Sequence, residues 1–322
     1  MAGANLPAKK YKKTSPTQTR LSFEFTGDGG QDYIDIAKAL SIINRKFYRQ
    51  GVYYYVNSIE VYNNEQGVVD LYTLPDNWVT KNAWNRGFSV FQKMNALTNS
   101  PLTNGIRPKY HDFKVHMTSQ MQAANGGANP SLHNVAGAGT EHTADDWVYS
   151  KMVSADSDGD LDPQNPQQLN QEADDFELHM IGTHTGSSDN WTSVGLIKSY
   201  AESRARPHIT APVTDTNLQT DPLLNIFDFS SEEQMNDIIF NLEQDNDAPP
   251  YNLDNYVGET SGSLQHVARV GTEVGLGRVG RASGFCAPFG LICVDSQSIS
   301  TAFRVVINLA QGTYHGVYAE RV

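Results

Sequence analysis

Four aspartates alternate along one short segment, DSDGDLD, at positions 156, 158, 160 and 162. Carboxylate oxygens at this density are the ligands that calcium prefers. The segment departs from an EF-hand loop, because its glycine is fourth rather than sixth and Gln167 stands at the twelfth position. A solvated acidic loop is the favoured interpretation. The alternative is a structural calcium ion held by Asp156, Asp158, Asp160 and Asp162, and no other cofactor is expected.

Three glycines, Gly275, Gly277 and Gly280, have the G-x-G-x-x-G spacing of dinucleotide-binding loops. Such a loop needs a helix after it, because the helix N-terminus binds the pyrophosphate. The residues that follow, RASGFCAPFG, do not open a helix cleanly. We therefore interpret the glycines as a flexible loop and not as a nucleotide site.

The remaining reactive side chains do not form a catalytic pattern. His111 and His116 are five residues apart, as are His179 and His184. In a strand this odd separation places the two rings on opposite faces, so neither pair is a natural chelate. The sequence has no zinc-ligand spacing, no nucleophile elbow and no Walker A loop. We predict that the protein is not an enzyme.

The two cysteines, Cys286 and Cys293, are not expected to form a disulfide. Seven strand residues span roughly 23 Å, whereas a disulfide needs Cα atoms within about 7 Å. A turn at Pro288 would bring the cysteines closer, but two buried free thiols are the favoured prediction.

Charge is unevenly distributed along the chain. The first 20 residues contain five of the 24 basic side chains and no acid, whereas the other residues carry all 36 acids. A short basic tail on an acidic body is typical of an arm that binds polyanions, and a disordered solubilising terminus is the alternative. The candidate nucleic-acid-binding residues are Lys9, Lys10, Lys12, Lys13 and Arg20. We assign residues 1–20 to a disordered basic arm and residues 21–322 to one folded domain.

A second segment, residues 207–268, has eleven acids and no lysine or arginine. This segment would repel nucleic acid, so we predict that it lies on the surface facing away from any bound nucleic acid.

The elements that must position these residues are mostly strands. Alternating or β-branched runs predict strands, and apolar spacing of three to four residues predicts helices. We expect residues 51–64 and 67–74 to form a hairpin. The other predicted strands are 21–26, 112–121, 145–155, 174–182, 289–294, 301–309 and 313–322. The predicted helices are 32–48, ended by Gly51, one opened by Pro75 and Asp76, 193–206 and 231–244.

Many short strands with long polar loops and a few helices favour a mainly β fold, a β-sandwich or jelly roll. Strict alternation of strands and helices is missing, so a doubly wound sheet is not expected. No apolar run approaches 18 residues, which excludes a membrane-spanning helix, and the N-terminus lacks the apolar stretch of a secretory signal.

Several stretches, in this order, resemble the capsid proteins of circular Rep-encoding single-stranded DNA (CRESS-DNA) viruses from environmental samples. They run from about residue 30 to the C-terminus. The stretches are IDIAKALSIINRKFYRQGVYYYV, LPDNWVTKNAWNRGFSVFQKM, DDFELHMIGTH, GLIKSYAESRA, NDAPPYNLDNY, APFGLICV and LAQGTYHGVYAERV.

The resemblance implies a single jelly-roll capsid domain with two to four inserted helices. It implies self-assembly into an icosahedral shell around circular single-stranded DNA, with the basic arm directed inward. The expected partners are copies of the same chain, viral DNA and a host receptor. The expected location is the virion, with passage through the host nucleus during assembly. The alternative is a β-sandwich module that binds a carbohydrate or another ligand and carries the calcium loop.

Overall fold

A computed structural model of the chain describes most of one compact unit, formed by residues 1–200 and 257–322. Of a second unit, residues 201–256, only residues 201–203 and 256 are described. The described ranges are 16–27, 29–99, 112–124, 131–133, 147–155, 161–162, 165–169, 173–187, 190–203, 256–260, 263–272, 279–296 and 299–322.

Eighteen strands and four α-helices lie within these ranges, so the chain is mainly β. The strands are β1 (Arg20–Phe25), β2 (Gln31–Asp35), β3 (Val52–Tyr62), β4 (Gly67–Thr73), β5 (His116–Thr118), β6 (Ser131–His133), β7 (Lys151–Ala155), β8 (Leu161–Asp162), β9 (Asn165–Leu169), β10 (Ala173–Ile181), β11 (Thr185–Ser187), β12 (Asn190–Gly195), β13 (Gln265–Thr272), β14 (Val279–Ala287), β15 (Leu291–Asp295), β16 (Phe303–Leu309), β17 (Gln311–Tyr314) and β18 (Ala319–Arg321). The helices are α1 (Ile36–Asn44), α2 (Trp78–Asn99), α3 (Ser119–Ala123) and α4 (Leu196–Glu202).

Two antiparallel sheets form the body. The first has the order β14-β3-β16-β1-β6, with β18 also paired to β3, and the second has the order β13-β4-β15-β2. The partners are nested along the chain, since β1 pairs with β16, β2 with β15, β3 with β14 and β4 with β13. Consecutive strands β1 to β4 therefore alternate between the two sheets.

The hairpin predicted for residues 51–64 and 67–74 is wrong, although both strands exist. β3 pairs with β14, β16 and β18, whereas β4 pairs with β13 and β15 in the other sheet. The Asn63–Gln66 connection thus joins two sheets, because the apolar faces of both strands are buried in the same core.

One hydrophobic core contains side chains from both sheets, an arrangement compatible with a β-sandwich. In β1, Leu21, Phe23 and Phe25 are buried and alternate with more exposed residues, which confirms the predicted strand. The Phe25 ring stacks on Phe303 of β16 at a centroid distance of 4.8 Å. The second sheet contributes residues such as Leu71 to the same core. Burial of each large apolar side chain contributes about 1.5–3 kcal/mol.

The helix predicted over residues 32–48 is shorter than expected. Its first residues belong to β2, and α1 begins after Asp35, whose side chain accepts a hydrogen bond from the Lys38 N–H at 3.0 Å. A carboxylate in this position satisfies a helix N–H that has no partner within the helix. The helix ends at Arg45, which is left-handed (φ 49°), and not at Gly51.

The helix predicted after Pro75 and Asp76 is confirmed. The side chain of Asn77 accepts the N–H of Thr80 at 2.8 Å, so it caps the start of α2. Trp84 on this helix packs on the aromatic rings of Phe88, Phe113 and Phe289 at centroid distances of 5.1–5.6 Å. The aromatic face of α2 is therefore part of the interior.

A third sheet, which the sequence analysis did not predict, lies between β4 and β13 in the chain. Its order is β11-β12-β10-β5, with β7 also paired to β10, and β10 runs parallel to both β12 and β5. The strand predicted over 174–182 is confirmed as β10. The strand predicted over 112–121 is only three residues long, because α3 begins at Ser119 with Thr118 as its cap.

The end of the chain agrees with the predicted strands 289–294 and 301–309, which are β15 and β16. The last predicted strand is divided into β17 and β18 by a turn at His315 and Gly316, both with positive φ.

Cys286 and Cys293 are free thiols, as predicted, although Cys286 is only half-buried. Burial raises their pKa values to about 11 and about 12. The helix predicted over 231–244 lies outside the described residues.

Candidate nucleic-acid interface

Several hydrogen bonds attach the segment before β1 to the body. The Gln18 N–H donates to the side-chain oxygen of Asn44 at 2.8 Å, and the Asn44 amide donates back to the Gln18 carbonyl at 3.1 Å. The Leu309 N–H donates to the Thr19 carbonyl at 2.9 Å. The Thr17 hydroxyl donates to the His315 carbonyl at 2.6 Å. Residues 16–19 therefore lie on the surface of the body, beside the C-terminal end of α1 and the turn at His315 that follows β17.

Arg20 is the one predicted nucleic-acid-binding residue that the structure describes. It is the first residue of β1, and its guanidinium contacts the Glu60 carboxylate at 3.2 Å. Glu60 also contacts Arg281 at 3.5 Å and accepts the Tyr62 hydroxyl at 2.8 Å. Arg20 thus belongs to a partly neutralised face of the first sheet. Lys9, Lys10, Lys12 and Lys13 lie outside the described residues.

A second group of cations lies in the loop between α1 and β3, and the sequence analysis missed it. We call Arg45, Lys46 and Arg49 the arm collar. The Lys46 ammonium donates to the Pro16 carbonyl at 2.8 Å and to the Thr17 hydroxyl at 3.0 Å. The run NRKFYRQ contains three cations and no acid, which is the signal that would have found the collar. The predicted helix 32–48 covers the first five residues of this run.

Tyrosines fix the backbone of this loop. The Tyr314 hydroxyl accepts the Arg49 N–H at 3.0 Å, and the Tyr54 hydroxyl donates to the Arg49 carbonyl at 2.6 Å. The Tyr48 hydroxyl donates to the His315 carbonyl at 2.9 Å. Burial raises the pKa of each of these three phenols, so they remain neutral hydrogen-bonding groups. The loop is therefore held on a packed aromatic base.

A buried polar network connects the other end of this loop to the third sheet. The Gln50 side chain is fully buried and bonds to the backbone of Val115 and to the Asp35 carboxylate. The Tyr149 hydroxyl donates to the same carboxylate at 3.4 Å. Burial raises the pKa of Asp35, and the Lys38 N–H opposes that increase. Residues on both sides of the collar are thus anchored by specific hydrogen bonds.

Two buried histidines occupy neighbouring strands of the third sheet. His116 Nε2 lies 2.9 Å from the Glu177 carboxylate, and the hydrogen bond to His116 lowers the pKa of Glu177. His179 contacts the Ser193 hydroxyl at 2.7 Å through Nδ1 and the Thr183 carbonyl at 3.1 Å through Nε2. Burial lowers the pKa of His179 to about 4, so its ring is neutral at pH 7.

The candidate calcium residues Asp156, Asp158 and Asp160 lie outside the described residues. The backbone of Asp162 belongs to the short strand β8, and its side chain is not described. In the parts of the chain that the structure describes, no group of three or more histidine, cysteine or acidic side chains is arranged to hold a metal ion. The calcium site stays a prediction.

Of the glycine motif, only Gly280 is described, and it lies in β14. The residues after it form a strand and not a helix, as expected from the sequence, so the helix N-terminus that a dinucleotide loop requires is not formed there.

Among the described helices, none is both long and apolar enough to cross a membrane. Comparison with protein-family models, with curated proteins and with solved structures finds no match to this chain.

Proposed function

We propose that this chain is a capsid protein that assembles into a closed icosahedral shell around circular single-stranded DNA. In this proposal the two antiparallel sheets form a jelly roll, and the basic arm binds the genome inside the shell. The observation that carries the proposal is the nested pairing of eight strands, combined with a lysine-rich segment that enters the fold at its first strand.

The nested pairing supports the jelly roll in a direct way. When the first strand pairs with the last and each inner strand with its counterpart, the chain behaves as one long antiparallel ribbon folded over on itself. Such a ribbon yields two four-stranded sheets through which consecutive strands alternate, which is the jelly-roll arrangement. The orders β14-β3-β16-β1 and β13-β4-β15-β2 support this proposal, with β6 and β18 as additions to the first sheet.

The fold alone does not select a function, because jelly rolls also occur in lectins and cupins. The arm supplies the second argument. Four lysines lie within five residues in KKYKK, and Lys13 precedes the anchored Pro16 by only three residues. A basic segment that enters an acidic, β-rich body suits a protein that encloses a polyanion. The ordered resemblance to capsid proteins supports the same function.

Self-assembly requires surfaces that contact other copies. Val148, before β7, and Val153, on β7, are 64% and 54% exposed, so this part of the chain presents apolar side chains to solvent. Contacts of this kind are individually weak, but a closed symmetric shell repeats each of them many times. We propose that the surface around β7 contributes to contacts between copies.

The test is assembly of the purified full-length protein, followed by electron microscopy and light scattering coupled to size-exclusion chromatography. The expected result is uniform closed shells that contain nucleic acid. A protein that remains monomeric at high concentration over a range of salt and pH would contradict the proposal. A monomer that calcium stabilises and a chelator destabilises would favour the ligand-binding alternative.

A further inference from the structure

We infer that the arm collar, Arg45 with Lys46 and Arg49, is a second binding surface for the phosphates of single-stranded nucleic acid. This inference rests on the proposed function. It places nucleic-acid contacts on the folded body, beside the point where the arm joins β1, in addition to the contacts of the arm lysines.

Several described lysines and arginines form ion pairs with carboxylates within 4 Å, whereas the two arginines of the collar do not. Arg45 and Arg49 are exposed, and among the described residues no carboxylate forms an ion pair with either of them. The ion pairs are Arg20–Glu60, Lys81–Asp76, Lys151–Asp175, Lys198–Glu259, Arg269–Asp70, Arg281–Glu60 and Arg304–Glu24.

The charge around the collar is mainly positive. Asp112 is a carboxyl group that interacts with the charge of Arg49. Burial raises the pKa of Asp112, and the nearby Arg49 guanidinium lowers it. The loop itself contains three cations and no acid, on a chain whose formal net charge is −12.

The backbone of the loop is held in place before any ligand binds. The left-handed backbone of Arg45 ends α1, so the following residues leave the helix axis. The hydroxyls of Tyr54 and Tyr314 hold the Arg49 peptide from both sides. A backbone that is already fixed lowers the entropic cost of binding a phosphate, because only the arginine side chains have to be ordered. The planar donors of a guanidinium also match two phosphate oxygens at once.

The position of the collar beside the arm indicates which ligand it binds. Lys46 contacts Pro16 and Thr17 directly, so the collar adjoins the residues that follow the arm lysines in the chain. A single strand bound by Lys12 and Lys13 would pass near the collar, since three residues span at most about 11 Å. His315 is an exposed residue whose carbonyl accepts the Thr17 hydroxyl, and an aromatic ring at this position is a group on which an unpaired base can stack.

The competing explanation is that Arg45 only stabilises the C-terminal end of α1, where cations are favoured by the helix dipole. Arg49 is not at a helix end, so this explanation does not extend to it. A double variant, R45Q/R49Q, in the full-length protein separates the two interpretations. The control is R86Q/K93Q, which removes the same charge from two exposed positions on α2.

The measurement is the binding of a fluorescent oligothymidylate by anisotropy over a series of salt concentrations. Each phosphate contact contributes about 0.7 to the slope of log K against log salt for single strands. We expect R45Q/R49Q to lower the magnitude of that slope by about 1.4 relative to wild type. We expect the control and R45K/R49K, which keeps both charges, to have the wild-type slope. An unchanged slope in R45Q/R49Q, or an equal decrease in the control, would overturn the inference.

Electron microscopy of the same samples distinguishes failure of the inference from failure of the proposed function. Shells of R45Q/R49Q with reduced nucleic-acid content support both. Shells of R45Q/R49Q with normal nucleic-acid content and an unchanged slope contradict the role of the collar but not the capsid function. If wild type forms no shells but the slope depends on the collar, the capsid function fails and the phosphate site remains. Thermal unfolding of each variant checks that a change in slope does not arise from unfolding.

Discussion

Gln50 and Val115 are bonded to each other as two adjacent strand residues would be, but through a side chain. The Gln50 amide accepts the Val115 N–H at 2.6 Å and donates to the Val115 carbonyl at 2.8 Å. The same amide donates to the Asp35 carboxylate at 3.2 Å. One fully buried side chain therefore links the loop before β3, the start of α1 and the segment that leads into β5.

We predict that Q50A strongly destabilises the protein. The substitution leaves the peptide groups of Val115 and one oxygen of Asp35 buried without this partner, and each such group costs about 1–3 kcal/mol. The expected loss in free energy of unfolding is therefore about 3 kcal/mol or more, measured by urea denaturation. Q92A, an exposed position on α2, is the matched control and should change the stability by less than about 0.5 kcal/mol. Equal stability of the two variants would contradict the prediction.

Local patterns were enough to predict several elements, because their signal lies within a few residues. The alternation of Leu21, Phe23 and Phe25 identified β1, and the aromatic spacing after Pro75 identified α2. In residues 32–48 the pattern was ambiguous, because Tyr33 and Ile36 fit the helical spacing although Tyr33 lies in β2. The Asp35 cap, which places the helix start, was not recognised.

Pairing between distant strands was not predictable in the same way. The β3–β4 connection has the length and turn residues of a hairpin, but β3 forms its hydrogen bonds with β14 and β16, more than 200 residues away. The parallel strands around β10 lack the βαβ pattern that would have indicated them. Arg20 and Glu60 are 40 residues apart in the chain, so the sequence of the arm alone does not show that the charge of Arg20 is partly neutralised.

His179 provides a prediction for acid stability. Its pKa is about 4 in the folded protein and about 6.5 in an unfolded chain. As pH falls from 6.5 towards 4, the unfolded state gains a proton that the folded state does not, so the free energy of unfolding decreases. The full decrease from this residue is about 3 kcal/mol. We expect H179Q to show a shallower decrease between pH 6.5 and 4 in urea denaturation.

The comparison between wild type and H179Q also removes the contributions of other groups. Asp35 and Asp112 have raised pKa values, so their protonation on acidification acts in the opposite direction, and it is common to both proteins. A measurement at pH 7.5, where His179 is neutral in both states, gives the stability difference that does not depend on its titration. Stability curves that run parallel from pH 7.5 to 4 would show that His179 does not contribute.

The ion pair of Arg20 with Glu60 gives a prediction for nucleic-acid binding. E60Q removes the carboxylate that Arg20 and Arg281 share, so both guanidinium groups become available to phosphate. We expect tighter binding of oligothymidylate, with a slope against log salt that is steeper by up to about 0.7 for each arginine recruited. The stability should decrease by less than about 1 kcal/mol, because both arginine side chains are more than half exposed.

The matched control for this variant is E259Q, which removes a carboxylate paired with Lys198 and makes the same change in net charge. If E259Q strengthens binding as much as E60Q does, the effect comes from net charge and not from Arg20. If E60Q binds with the affinity and slope of wild type, Arg20 takes no part in nucleic-acid binding.

Deletion of residues 1–15 tests the arm while keeping its anchor. Because Gln18, Thr19 and Arg20 hold their contacts with Asn44, Leu309 and Glu60, the shortened protein should fold and form shells. Loss of four lysines should lower the slope against log salt by up to about 2.8. The ratio of absorbance at 260 and 280 nm in purified shells should fall accordingly. A variant with the four lysines changed to glutamine keeps the chain length and should give the same result, so wild-type loading in both would show that the arm does not bind the genome.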